Sequence, residues 1–231
     1  EKTTAGDPLF GRLNTQSSIC GRDGERFLYT QEINYPALLQ KKLDCTVRNY
    51  GVGGCNIARQ EGRQDSYVER YPLMEDGADV VLVQGTGNDV ALGVPLGTLE
   101  DTVDTTYYGA LKALVDGLYD KYPRAFILLD HRHDPEKDRE RYEQYTQAML
   151  DVARLKAVPV LDMYHHGMMN PQIPAIKGRR IADGTHMTLE GWSFTLPKLS
   201  AFCGRWARWR IDSGPPYRRM KIDDKQIKQG E

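Results

Sequence analysis

The stretch Ala78-Asp79-Val80-Val81-Leu82-Val83-Gln84-Gly85-Thr86-Gly87-Asn88-Asp89 joins an aliphatic, β-branched run to a polar turn spaced by glycines. An unbroken apolar run of this length, closed by turn residues, predicts a strand over Ala78–Val83 buried on both faces, as in a parallel sheet. Working outward, Ala125–Leu129 (AFILL) and Val158–Leu161 (VPVL) repeat the pattern. Cys45–Tyr50 (CTVRNY) alternates instead, which predicts a strand nearer the sheet edge. Between them lie segments with helical spacing. Leu99–Tyr119 sets Val103, Tyr107, Ala110, Leu111, Leu114 and Leu118 on one face, and Lys121-Tyr122-Pro123 stops it. Glu136–Leu155 predicts a second helix, Pro36–Leu43 a short one opened by proline, and Leu189–Trp209 a closing one. Strands alternating with helices predict an α/β sandwich with helices on both faces of a mainly parallel sheet. Residues 1–17 carry only Leu9, Phe10 and Leu13 as large apolar side chains, so the first strand is the faintest.

The chain has 231 residues, enough for one α/β domain, expected over residues 1–211 with a polar tail over 212–231. Its 31 Lys+Arg against 32 Asp+Glu supply no excess of positive charge for a nucleic acid. Trp206 and Trp209, with Arg205, Arg208 and Arg210, are expected to pack one helix face and solvate the other. No apolar run approaches the roughly 18 residues of a membrane span. Cys20, Cys45, Cys55 and Cys203 lack CxxC spacing and predict free or buried thiols. The chain begins at Glu1 without a charged and apolar leader, the pattern of a processed or trimmed soluble chain, and compartment and oligomeric state stay open.

In a parallel α/β sheet, ligands bind at the carboxyl ends of the strands. Gly51-Val52-Gly53-Gly54 follows one predicted strand, Gly85-Thr86-Gly87-Asn88-Asp89 another, and Asp183-Gly184-Thr185-His186 precedes the last helix. An aspartate three residues before a histidine can fix its tautomer and leave the other nitrogen as a base, although the same letters also suit a helix cap. The Gly54 N–H and the Asn88 amide are donors that could converge on an oxyanion, or else simple turns. Asp130-His131-Arg132-His133-Asp134 and His165-His166 also follow strands. With no further Cys or His to complete a metal site, these histidines predict exposed rim loops. Cys55 predicts a small packing residue.

The order of a glycine turn, GxND and DxxH resembles blocks II, III and V of the SGNH (GDSL-like) hydrolase family, over roughly residues 12–205. Tyr35 to Leu43, NYGVGG and VPVLDMY between the blocks look similar as well. The resemblance implies a flavodoxin-like three-layer sandwich with a five-stranded sheet, and ester or acyl hydrolysis without metal or cofactor. The family's first block, Gly-Asp-Ser-Ile/Leu, is not intact here. Ser17-Ser18-Ile19-Cys20-Gly21 keeps the second half of the block with Ser18 as nucleophile, whereas Gly6-Asp7-Pro8-Leu9-Phe10-Gly11 keeps Gly-Asp but places Pro8 at the serine. Ser18 preserves the chemistry and is preferred.

The resemblance thus implies a Ser18-His186-Asp183 triad, with an oxyanion hole formed by Gly54, Asn88 and the Ser18 N–H. Substrates would be small esters or acylated carbohydrates. The alternative is an inactive binding or scaffolding module that kept the fold and lost the first block.

Overall fold

The computed structural model describes residues 10–17, 35–85, 87–123, 126–131, 138–182 and 186–213. Five strands form one sheet: β1 (Phe10–Ser17), β2 (Cys45–Asn49), β3 (Val80–Gly85), β4 (Phe126–His131) and β5 (Val160–Asp162). Their order is β2-β1-β3-β4-β5, with every neighbouring pair parallel. The alternating segment Cys45–Asn49 is an edge strand, and the aliphatic run of β3 is central. A parallel sheet buried on both faces needs apolar residues at successive positions, and β3 shows the result. Val81 and Val83 enter one core, Val80 and Leu82 the other.

The first core is roofed by α4 (Tyr107–Lys121) and α5 (Arg139–Leu155), which contribute Leu111, Leu114, Leu118, Tyr145, Met149 and Val152. The second lies beneath α1 (Tyr35–Leu43) and α7 (Leu189–Ser213), where Tyr35, Leu39, Trp192, Leu199 and Cys203 meet. Short helices α2 (Tyr67–Arg70), α3 (Gly87–Ala91) and α6 (Met163–His166) complete the order, with a 3-10 turn over Tyr71–Leu73. Cys45, Cys55 and Cys203 are buried. No helix among the described residues is long and apolar enough to cross a membrane.

Several boundaries differ from the sequence expectation. Helix α4 begins eight residues after Leu99, because the Thr106 hydroxyl accepts the Gly109 N–H at 3.3 Å and caps the helix there. Val103 therefore lies outside the helix and is 53% exposed, not on the apolar face expected of it. Helix α5 opens at Arg139, after Asp138 in a left-handed conformation (φ 64°). Strands β3, β4 and β5 each run one or two residues further toward their carboxyl ends than the apolar runs suggested. Helix α7 carries Pro197 inside it and continues to Ser213, two residues into the stretch expected as tail. The side chains of Trp206 and Trp209 lie outside the described residues.

Candidate active site

The parallel register brings the carboxyl ends of β1, β3, β4 and β5 to one edge of the sheet. Ser17 pairs with Gln84, Gly85 with His131, and His131 with Asp162. The turn after β2 is built by its own polar groups. Asn49 Oδ1 accepts the Gly51 N–H at 2.9 Å, and Gly54 takes φ +77°, a conformation glycine reaches without a Cβ clash. Among the described residues, nothing lies within 4 Å of where a Gly54 Cβ would stand. Behind it, Arg63 Nη2 donates to the Gly54 carbonyl at 3.0 Å and pairs with Asp65 at 2.7 Å.

Asn88, in the first turn of α3, reaches across to this turn. Its Nδ2 donates to the Cys55 carbonyl at 2.6 Å. A primary amide has two N–H donors, and this bond uses one. Asp89, the next residue, is 1% exposed and reaches one step further along the same loop. Its Oδ1 accepts the N–H groups of Ile57 and Ala58, each at 3.1 Å, and Oδ2 lies 3.0 Å from Ile57 N. Burial pushes the carboxyl up to about 7, against the lowering effect of those N–H bonds and of Asn56. Gly85, at the end of β3, leaves room for the loop: a Cβ there would stand 2.7 Å from Ile57 Cδ1. From the far side, the Tyr142 hydroxyl of α5 donates to the Gly87 carbonyl at 3.2 Å.

His186 is half-buried just before α7. Ala182 N donates to its carbonyl at 2.8 Å, and Ile181 and Met187 form an antiparallel bridge. Thr188 follows, its hydroxyl accepting the Gly191 N–H at 3.1 Å at the start of α7. Of the residues singled out in the sequence, Gly54 and Asn88 are thus brought together through Cys55. Ser18 and Asp183 lie outside the described residues; Ser18 is next in sequence to Ser17, the last residue of β1.

The other candidates take different roles. His165 belongs to α6, not to a loop, and both ring nitrogens are engaged: Nδ1 by Asp162 at 2.7 Å and Nε2 by Glu143 at 2.8 Å. Although partial desolvation opposes it, the two carboxylates hold its pKa above the usual histidine value. The His166 carbonyl accepts from Lys198 Nζ at 2.9 Å. His131 ends β4, and His133 lies outside the described residues. Among the described residues, no group of three or more His, Cys, Asp or Glu could hold a metal ion. Cys55 is buried, its thiol donating to the Val52 carbonyl at 2.9 Å, and burial raises its pKa. Asp89 was missed in the sequence as a site residue, and its place directly after Asn88 was the only available signal.

Residues 17–192 match the model of the GDSL-like Lipase/Acylhydrolase family. Among solved structures, one from Lactobacillus plantarum is similar with a TM-score of 0.74 and 26% identity, covering 85% of this chain and 97% of that one. A candidate GDSL-like lipase from Bacteroides ovatus has a TM-score of 0.66 and 13% identity, over 85% and 99% of the two chains. LAE5, an alpha/beta hydrolase enzyme from the metagenome of Lake Arreo, Spain, has a TM-score of 0.59 and 21% identity, over 86% and 98%. The last two likenesses concern the fold alone. No curated protein matches the chain.

Proposed function

The chain belongs to the GDSL-like lipase/acylhydrolase family, and from that premise we propose that it is a serine esterase of small or carbohydrate-linked esters, with Ser18 as nucleophile, His186 as base and Asp183 as its orienting carboxylate. Ser18 Oγ attacks the ester carbonyl carbon while His186 takes its proton. The tetrahedral oxyanion is held by the Gly54 and Ser18 N–H groups and the Asn88 amide. Collapse breaks the bond to the alcohol, which leaves with the proton from His186, and an acyl-Ser18 remains. Water then attacks this acyl group, giving a proton to His186, and the second collapse returns that proton to Ser18 and frees the acid.

The observation that carries this reading is the Asn88–Cys55 bond. It fixes the Asn88 amide beside the glycine turn and leaves one N–H for an incoming oxyanion. Chain order supports Ser18 over the Gly6-Asp7-Pro8 alignment. Phe10 opens β1 opposite Cys45, the first residue of β2, so residues 6–9 lead into the amino end of the strand, whereas Ser18 follows its carboxyl end. Eight strand residues at about 3.3 Å each put roughly 23 Å between those ends. The family match also begins at residue 17.

The test is turnover of p-nitrophenyl acetate, with intact-mass measurement after a serine-reactive phosphonate. The reading expects turnover and one adduct that Ser18→Ala abolishes. A folded wild-type protein with neither turnover nor adduct would leave the fold and remove the esterase, as expected of an inactive binding module.

A further inference from the structure

Two consecutive residues of α3 grip one loop at two points: Asn88 holds the Cys55 carbonyl at 2.6 Å, and Asp89 holds the Ile57 and Ala58 N–H groups at 3.0–3.1 Å. The loop belongs to a different strand connection, more than 30 residues earlier in the chain. Near Gly54 the loop's own bonds are the Cys55 thiol on the Val52 carbonyl at 2.9 Å and Arg63 on the Gly54 carbonyl at 3.0 Å, and neither sets the Cys55 carbonyl. Cys55 N reaches the Val52 carbonyl only at 3.4 Å, and the Asn56 amide turns inward to the Ala58 carbonyl at 2.6 Å. The Asp89 carboxylate is fully enclosed and spends both oxygens on these backbone donors. Burying a carboxyl is costly, and a leucine or valine would fill an enclosed site more cheaply. What aspartate provides there is acceptors for two N–H groups that would otherwise be buried and unpaired.

We infer that Asp89 is a positioning residue for the esterase reaction: by anchoring Ile57 and Ala58 it sets the height of the Cys55 carbonyl, and through that carbonyl it aims the Asn88 amide at the oxyanion. This rests on the esterase reading above. Asp89 does not touch substrate. It acts through Asn88 and Gly54, so its loss should be felt where charge develops, not where substrate binds. The Tyr67 backbone N–H, bonded to the Asn56 carbonyl at 2.9 Å, and Ile57 against Gly85 hold the rest of the loop, so the chain has other means of keeping it folded.

The experiment is a double-mutant cycle on p-nitrophenyl acetate hydrolysis, with Asp89→Ala and Asp89→Asn each made in the wild-type and Asn88→Ala backgrounds. Asp89→Ala should lower kcat by about 10-fold or more with KM changed less than about 3-fold. Asp89→Asn keeps a carbonyl oxygen for both N–H groups and should restore kcat to within about 3-fold of wild type. In the Asn88→Ala background, where no amide is left to aim, Asp89→Ala should cost less than about 3-fold more. Losses that multiply independently, or that fall on KM, would overturn the inference. Should Asp89→Ala not fold, amide hydrogen exchange of the wild-type protein decides: Ile57 and Ala58 should exchange as slowly as the β3 amides, and exchange as fast as an open loop refutes the anchor. Absence of wild-type turnover would defeat the esterase reading; wild-type turnover with an indifferent Asp89→Ala would defeat this inference alone.

Discussion

His186 is held by the Ala182 N–H on its carbonyl and by the neighbouring Ile181–Met187 bridge, and its side chain is not part of either apolar core. His186→Ala should therefore abolish esterase turnover while lowering the unfolding free energy from urea denaturation by less than a core truncation does, about 2 kcal/mol. Unchanged turnover would remove it from the chemistry. Asp89 makes the opposite kind of prediction. Its carboxyl is raised from 3.8 to about 7 by burial. Between those values the folded chain keeps a proton that the unfolded chain has released, so stability falls as pH rises through the window and levels off above pH 7. A shift of about 3 units at about 1.4 kcal/mol each corresponds to about 4 kcal/mol, of which roughly 2–3 lies between pH 5 and pH 8. Asp89→Asn cannot titrate. Urea unfolding at pH 5 and pH 8 should show a smaller difference for this variant than for wild type, and equal differences would mean that Asp89 titrates near its ordinary value.

Among the elements, α4 shows how packing overrules helix propensity. Gly117 sits in its interior, where exchanging glycine for alanine ordinarily stabilises a helix by about 1 kcal/mol. Here an added Cβ would stand 2.1 Å from the Tyr71 hydroxyl and 2.7 Å from its ring edge. Gly117→Ala should then destabilise, by about 1–3 kcal/mol, the cost of overpacking. A rise in thermal midpoint would show that Tyr71 swings aside freely. The start of α4 follows the same logic of competing local signals. Apolar periodicity from Leu99 onward suggested a longer helix, but the Thr106 cap and the Tyr107 N–H bond to the Pro95 carbonyl at 2.8 Å end the preceding turn there. Periodicity reports which face is apolar, whereas a cap reports where the backbone turns.

Over the whole molecule, one sheet separates two cores, and the two faces of β3 supply both. Leu82, on β3, is completely buried under α1 and α7, and Leu111, on α4, is completely buried against the other face of the sheet. Leu82→Ala and Leu111→Ala should each cost about 2–5 kcal/mol. Sharing no partners across the sheet, the two should add to within about 0.5 kcal/mol in the double variant. Strong non-additivity in urea unfolding would show that the cores are coupled through the sheet.

The aliphatic run of β3, the alternation of β2 and the spacing of α4 and α5 were legible in the sequence, because strand and helix periods are local properties of neighbouring residues. So were the turns that carry Gly54 and Asn88, since glycines and a short polar amide directly after a strand mark where the chain leaves the sheet. The weak apolar content of β1 hid a strand that pairs on both sides with β2 and β3; its partners, more than its own residues, make it one. The place of His165 between Asp162 and Glu143 and the grip of Asp89 on Ile57 and Ala58 could not be read along the chain. The Glu143 and Asp89 contacts bridge 22 to 32 residues, and whether a carboxylate meets a backbone N–H, an imidazole or water depends on which loops the sheet order brings side by side. Local pattern determined the kinds of element and the glycine and amide of the turn; the tertiary structure decided which buried polar groups would satisfy one another, because that pairing exists only once distant strands stand in register.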